Sequence, residues 1–228
     1  MRSWTQFALF FSVMTTLIAG LHYYLYVRLA RAPGLESWQR TGAWIFALGA
    51  LLLPAGMLLS RVLSRPASTI AATISYTWMG LFALTLFMTL GSELIRGATA
   101  LLEATRVVPE DPERRTFIAR ALTGVIGVAA VGFGGYGMAR ARTPIVKEMS
   151  VALKKFPGAL DGLKIAQLSD VHIGPTIDGT WLRSVVERVN ALEPDVVAIT
   201  GDLVDGSVEE LRDHVAPLGD LRAKYGVY

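Results

Sequence analysis

Four long stretches of this chain carry no Asp, Glu, Lys or Arg: 3–27, 41–60, 66–92 and 121–139. Each approaches or exceeds the roughly 20 residues that a helix needs to cross a bilayer. Four in succession, separated by Arg-bearing gaps, do not suit the core helices of a water-soluble domain. The expectation is a transmembrane region over 1–139, with helices at about 4–27, 42–60, 70–95 and 118–139. Trp4, Tyr23, Tyr24, Tyr26, Trp38 and Trp44 fall near the ends of these stretches, where amphipathic rings favour the headgroup layer. The overall balance agrees, at 52% hydrophobic and 18% charged with mean hydropathy +0.43.

The net charge of +3 does not indicate nucleic acid, because the basic residues flank apolar segments instead of lining a groove with interleaved aromatics. The lipid bilayer, with its anionic headgroups, is the partner these cations suit. The chain has no cysteine, which excludes disulfides and thiolate metal ligands.

Between the third and fourth apolar stretches, 93–120 mixes charges with Pro109 and Pro112 and reads as a solvated loop extending from a helix end. Within it, Arg114-Arg115-Thr116-Phe117-Ile118-Ala119-Arg120 resembles a twin-arginine export signal. The alternative is that these arginines only mark the membrane boundary. The export reading would keep Arg114 and Arg115 cytoplasmic and place everything after Ala139 on the outer side. Ala139-Arg140-Ala141 has the small-x-small shape of a cleavage site, but an internal arginine and three preceding helices favour an uncleaved anchor.

Beyond the membrane region, 140–162 reads as a linker containing a first edge strand, since 145–155 alternates loosely. Residues 163–168 read as a buried strand. Trp181, Leu182, Val185, Val186, Val189 and Leu192 then recur at helical spacing. Pro194-Asp195 stops that helix, 196–200 is a second buried strand, and a helix from 208 to 221 breaks near Pro217. Strand, helix, strand, helix implies a parallel βαβ core. Roughly 66 residues from 163 onward are too few to close an α/β domain of usual size, so a truncated domain over 163–228 is expected.

The chemistry sits where the two strands end. Asp170 and His172 are two residues apart just past the first strand, so extended backbone would point both side chains the same way. Asp202 stands at the end of the second strand, within reach of the same ion or a neighbouring one. Carboxylates with one imidazole suit manganese, iron or zinc better than calcium. Gly201 allows a tight turn, and Asp205 could orient a ligand from behind.

Ser169-Asp170-Val171-His172-Ile173-Gly174 and Gly201-Asp202-Leu203-Val204-Asp205-Gly206 resemble the first two motifs of the calcineurin-like metallophosphoesterases, especially their membrane-attached bacterial phosphohydrolases. The resemblance covers 163–228. It implies two divalent metal ions, with Asp170 and His172 on the first, Asp202 bridging both, and Asp205 supporting the site. It also implies hydrolysis of a phosphoester by a metal-bound hydroxide, a tethered location at a bacterial inner membrane, and phospholipid or lipid-linked phosphates as candidate substrates. The family's Gly-Asn-His motif and later histidines are expected beyond Tyr228, so this piece alone is expected to be inactive. The alternative from another class is a non-enzymatic membrane sensor or binding module on a lapsed phosphoesterase fold.

Other features read more plainly. His214 lies among Glu209, Glu210, Arg212 and Asp213 and is expected at the surface. His22 is expected as an interfacial polar residue, and Glu93 as a boundary carboxylate reaching headgroup water. Gly132-Phe133-Gly134-Gly135-Tyr136-Gly137 matches a dinucleotide fingerprint as a string, but no strand precedes it. Its small residues are expected to admit close helix approach.

Overall fold

The computed structural model describes residues 2–228 apart from positions 142 and 156. The chain divides after Ala139 into two compact units.

The first unit is helical. Helix α1 (Arg2–Leu25) continues into a π-helical turn (Tyr26–Arg31), followed by α2 (Glu36–Val62), α3 (Ala67–Ala104) and α4 (Pro112–Ala141). Among the described residues these are four helices long and apolar enough to cross a membrane. Phe10, Leu48, Phe87 and Val128 are exposed on them, an apolar surface that suits lipid and not water.

The helices outrun their charge-free stretches. Most of 93–120, expected as loop, is helix, and the turn between α3 and α4 occupies only 105–111. Local chemistry explains this. Asp111 Oδ1 accepts the backbone N–H groups of Glu113 at 2.9 Å and Arg114 at 3.1 Å, which caps α4 with Pro112 in its first turn. On the α3 side, the carboxylate of Glu103, 2% exposed, is held by Arg114 and Arg115.

Close helix approach occurs mainly on α2, and in the glycine run of α4 only at Gly134. A Cβ added to Gly42 would overlap Ala30, one at Gly49 the indole of Trp78, and one at Gly56 the hydroxyl of Ser75. The seven-residue spacing of these glycines puts them on one face, so α2 meets its neighbours backbone-close. Of the 132–137 run, Gly134 meets Leu81, whereas Gly132, Gly135 and Gly137 face open space.

His22 is inside the bundle and not at an interface, at 1% exposure. Its Nδ1 is 2.8 Å from the Ile18 carbonyl, and Trp78 Nε1–H donates to its Nε2 at 3.1 Å. A ring that donates at Nδ1 and accepts at Nε2 is a neutral imidazole with both nitrogens engaged. It stacks on Phe82 at 4.2 Å. Glu93 likewise does not simply reach water, since it accepts from Tyr24 Oη at 3.0 Å and pairs with Arg28 at 2.7 Å.

The second unit has the expected parallel βαβ core. Strand β1 (Ile165–Ser169) pairs in parallel with β2 (Val196–Thr200), from Ile165↔Val196 to Ser169↔Thr200. Helix α5 (Gly179–Asn190) connects them, capped by Asp178, which accepts from Thr180 and Trp181 N–H. Its buried stripe is Leu182, Val185, Val186 and Val189, each contributing roughly 1.5–3 kcal/mol by leaving water. Helix α6 (Val208–Val215) opens with a Ser207/Glu210 capping box. It gives way to a 3₁₀ turn, Ala216–Asp220, around buried Pro217, which cannot supply the next helical N–H. The last residues line the far edge of β2, where Tyr228 N–H donates to the Val197 carbonyl at 2.9 Å and Ile199 N–H to the Tyr228 carbonyl at 2.7 Å.

The expected edge strand within 145–155 does not form among the described residues. Arg188 donates to the Pro144 carbonyl, but Ile145, Met149, Val151 and Leu153 all stay exposed. An alternating pattern sets a strand's register only where one face is buried, and here neither face is.

Candidate metal centre

The chains leaving β1 and β2 stay hydrogen-bonded after the strands end. Asp170 N–H donates to the Thr200 carbonyl at 3.3 Å, His172 N–H to Asp202 at 3.1 Å and Ile173 N–H to Leu203 at 2.9 Å, and Asp205 N–H returns to Ile173 at 2.8 Å. Val171 and Ile173 point into the core at 7% and 0% exposure. Between these anchors, Asp170 and His172 stand exposed. The two loops are thus one platform, with alternate residues buried and presented.

The backbone that presents them is not extended, as the two-residue spacing had implied. Asp170 has φ +52° and His172 φ +51°. Left-handed backbone is uncommon outside glycine, and Asp and His are among the types that adopt it most readily. Paired outliers at a strand end mark a site whose surroundings enforce the conformation. Gly201, at φ +77°, faces them, and a Cβ there would lie 2.9 Å from Asp170 Oδ1. Any larger residue there would make that carboxylate shift, and the positive φ itself favours glycine.

Asp205 does meet His172. Its Oδ2 is 3.0 Å from His172 Nδ1, with side chains 57% and 44% exposed. If Nδ1 carries the proton it donates to this carboxylate, which leaves the Nε2 lone pair free for a cation. Asp170 accepts from the neighbouring Ser169 hydroxyl, a contact that no motif or spacing signals. Asp202 presents an exposed carboxylate on the adjacent loop. His214, expected at the surface, is half-buried and accepts the Gly179 N–H through Nδ1 at 3.2 Å, so it belongs to the α5–α6 contact and not to this platform.

In donor chemistry, carboxylates with one oriented imidazole fit a divalent transition metal. In geometry the fit is partial. The structure sets Asp170, His172 and Asp202 on neighbouring strand ends, but among the described residues no three His, Asp or Glu side chains gather around one point.

Known proteins give this platform a context. The chain is 33% identical over 160 residues to a transmembrane protein with metallophosphoesterase domain from Danio rerio, covering 68% of this chain and 35% of that protein. It is 46% identical over 88 residues to a protein of the same description from Bos taurus, covering 39% and 20% respectively. A shorter match, 39% identical over 51 residues, links it to the UDP-2,3-diacylglucosamine pyrophosphatase LpxG of Chlamydia trachomatis, covering 22% of this chain and 15% of that enzyme. The first match is too long to lie within 140–228, so the likeness reaches into the helical unit. The chain spans about a third of the length of the first relative and a fifth of the second. No family model and no solved structure matches the chain.

Proposed function

The chain belongs to the calcineurin-like metallophosphoesterases with a membrane-attached domain, and from that premise we propose that the whole protein hydrolyses a phosphoester at the membrane surface. One observation carries the reading: two adjacent parallel strand ends present Asp170, His172 and Asp202 on a hydrogen-bonded platform, two of them in left-handed backbone. Strand ends of open α/β sheets are where such folds collect ligands.

In this proposal Asp170, His172 and Asp202 hold divalent cations, manganese, iron or zinc, and Asp205 holds the imidazole of His172 by Nδ1 so that Nε2 faces the metal. Divalent metals bound there would supply Lewis acidity toward phosphoryl oxygens and a more acidic water at neutral pH. Gly201 keeps the space that the Asp170 carboxylate needs. Ser169, by donating to Asp170, restricts which of its oxygens turns outward.

The candidate substrate is a phosphoester borne on a lipid. Support comes from the four membrane-length helices and from the likeness to LpxG, whose name describes a pyrophosphatase of a diacylated sugar nucleotide. In the same reading the second unit works on the extracytoplasmic side of a bacterial inner membrane, with Arg106 of the α3–α4 turn and Arg114 and Arg115 of the first turn of α4 inside.

The test is turnover of bis-p-nitrophenyl phosphate by the full-length protein with added manganese, against chelator and against Asp202→Asn. Metal-dependent turnover lost in that variant supports the enzyme. Absence of turnover with metal still bound favours the second reading, a membrane sensor or binding module.

A further inference from the structure

The end of α1 gathers more positive charge than its surroundings neutralise. Three arginines attach to it. Arg28 lies in the π-helical turn, Arg96 of α3 donates through Nη2 to the Arg28 carbonyl at 3.5 Å, and Arg120 of α4 donates through Nε to the Pro33 carbonyl at 3.0 Å. Among the described residues one carboxylate answers them: Glu93, bound to Arg28 at 2.7 Å and to the Tyr24 hydroxyl at 3.0 Å. Two positive charges are left over, and the negative end of the helix dipole offsets only about half of one.

The nearby carbonyls are already served. Leu29 O accepts from Trp38 Nε1 at 2.8 Å and from Thr123 Oγ1 at 3.3 Å. The Nε of Arg96, by contrast, is buried and has no hydrogen-bond partner among the described residues. A buried N–H without an acceptor is costly, more so on a charged group. The cluster is nonetheless open to a ligand, because the Arg28 and Glu93 side chains are 38% and 29% exposed. π-Helical turns also concentrate at functional sites.

We propose that this end of the bundle binds a phosphate anion between Arg28, Arg96 and Arg120. Phosphate oxygens supply the acceptors that Arg96 Nε lacks, in the forked geometry guanidinium favours. The phosphate is that of a lipid headgroup or of a free ion in the adjoining water. Basic pockets between membrane helices take headgroups in this way. The site is independent of the Asp170–Asp202 platform and requires no catalytic activity.

The test is native mass spectrometry of the 228-residue chain released from detergent, with phosphatidylglycerol, diacylglycerol or inorganic phosphate added. Retention of phosphatidylglycerol over diacylglycerol is expected, with about tenfold weaker retention in Arg96→Gln, the loss of a charge-assisted hydrogen bond. Arg120→Gln is the second variant should the first fail to keep the helical circular dichroism of the parent chain. Inorganic phosphate that binds alone and displaces the lipid identifies the free ion as ligand, and lipid retained against excess phosphate identifies the headgroup. Equal retention of phosphatidylglycerol and diacylglycerol with no phosphate adduct, or phosphate and lipid binding unchanged in the folded variants, overturns the proposal.

Discussion

His172 Nδ1 and Asp205 Oδ2 lie 3.0 Å apart, joining the two loops that follow β1 and β2. The pair ties the orientation of an imidazole on one loop to a carboxylate on the other. Asp205→Ala in the full-length protein should therefore weaken manganese binding by about 10–100-fold, the usual effect of removing a partner behind a metal-ligating histidine. Isothermal titration measures it. Asp205→Asn keeps a hydrogen-bond acceptor and should fall between the two, and wild-type affinity in both variants would remove Asp205 from the site.

Gly201 tests the platform from the opposite side. Its φ of +77° and the 2.9 Å separation that an added Cβ would have from Asp170 Oδ1 leave two penalties for any other residue. Gly201→Ala should destabilise the second unit by about 1–2 kcal/mol through the left-handed backbone alone. It should also displace the Asp170 carboxylate. Thermal unfolding reads the first effect and metal titration the second, and a variant that loses stability but keeps metal affinity would show that the placement of the Asp170 carboxylate does not depend on Gly201.

Asp202→Asn separates enzyme from binding module. The carboxylate is exposed on the β2 loop, so the isosteric amide should leave the unfolding midpoint unchanged. Phosphodiester turnover by the full-length protein should fall at least about a hundredfold, because an amide cannot supply the anionic ligand. Turnover within a few-fold of the parent would move the reaction away from this loop.

Leu182 carries the packing of α5 and is fully buried. Leu182→Ala should cost about 2–5 kcal/mol, read as a lower urea midpoint for the second unit, with metal affinity falling only as the fold is lost. Leu192→Ala, at the partly exposed edge of the same apolar spacing, should cost far less.

Elements with strong local signals were legible in the sequence. Strand 196–200 coincides with β2 because five apolar or β-branched residues sit between Pro194 and Gly201, and the stripe from Leu182 to Val189 marked α5. The four apolar runs located the helices but not their ends, because absence of charge marks lipid and not helix. Capping by Asp111 with Pro112 was in the sequence, yet it reads as loop until Glu103 is seen to hold Arg114 and Arg115. The residues of the candidate site were legible as types and order, and their role as ligands stays a proposal. Their left-handed backbone was not legible, since it depends on the buried anchors Val171 and Ile173 and on the facing Gly201. Burial of His22 was invisible for the same reason: its partner Trp78 lies on another helix.

The Arg114–Arg115 pair now has a structural task, and that task yields the last prediction. Both guanidiniums grip Glu103, Arg114 at 2.6 Å to Oε1 and Arg115 through Nε at 2.7 Å to Oε2, while Arg114 also binds the Pro109 carbonyl at 2.8 Å. An address read by an export receptor needs the pair as arginines, whereas a boundary signal needs only positive charge. Arg114→Lys with Arg115→Lys should therefore leave the orientation of a reporter fused after Lys147 unchanged, measured by alkaline phosphatase and GFP activity in parallel. The same double variant should lower the thermal midpoint of the helical unit, because lysine cannot reproduce the forked contact with Glu103. Loss of the outer-side reporter signal in a chain that still folds would favour the export reading over the boundary one.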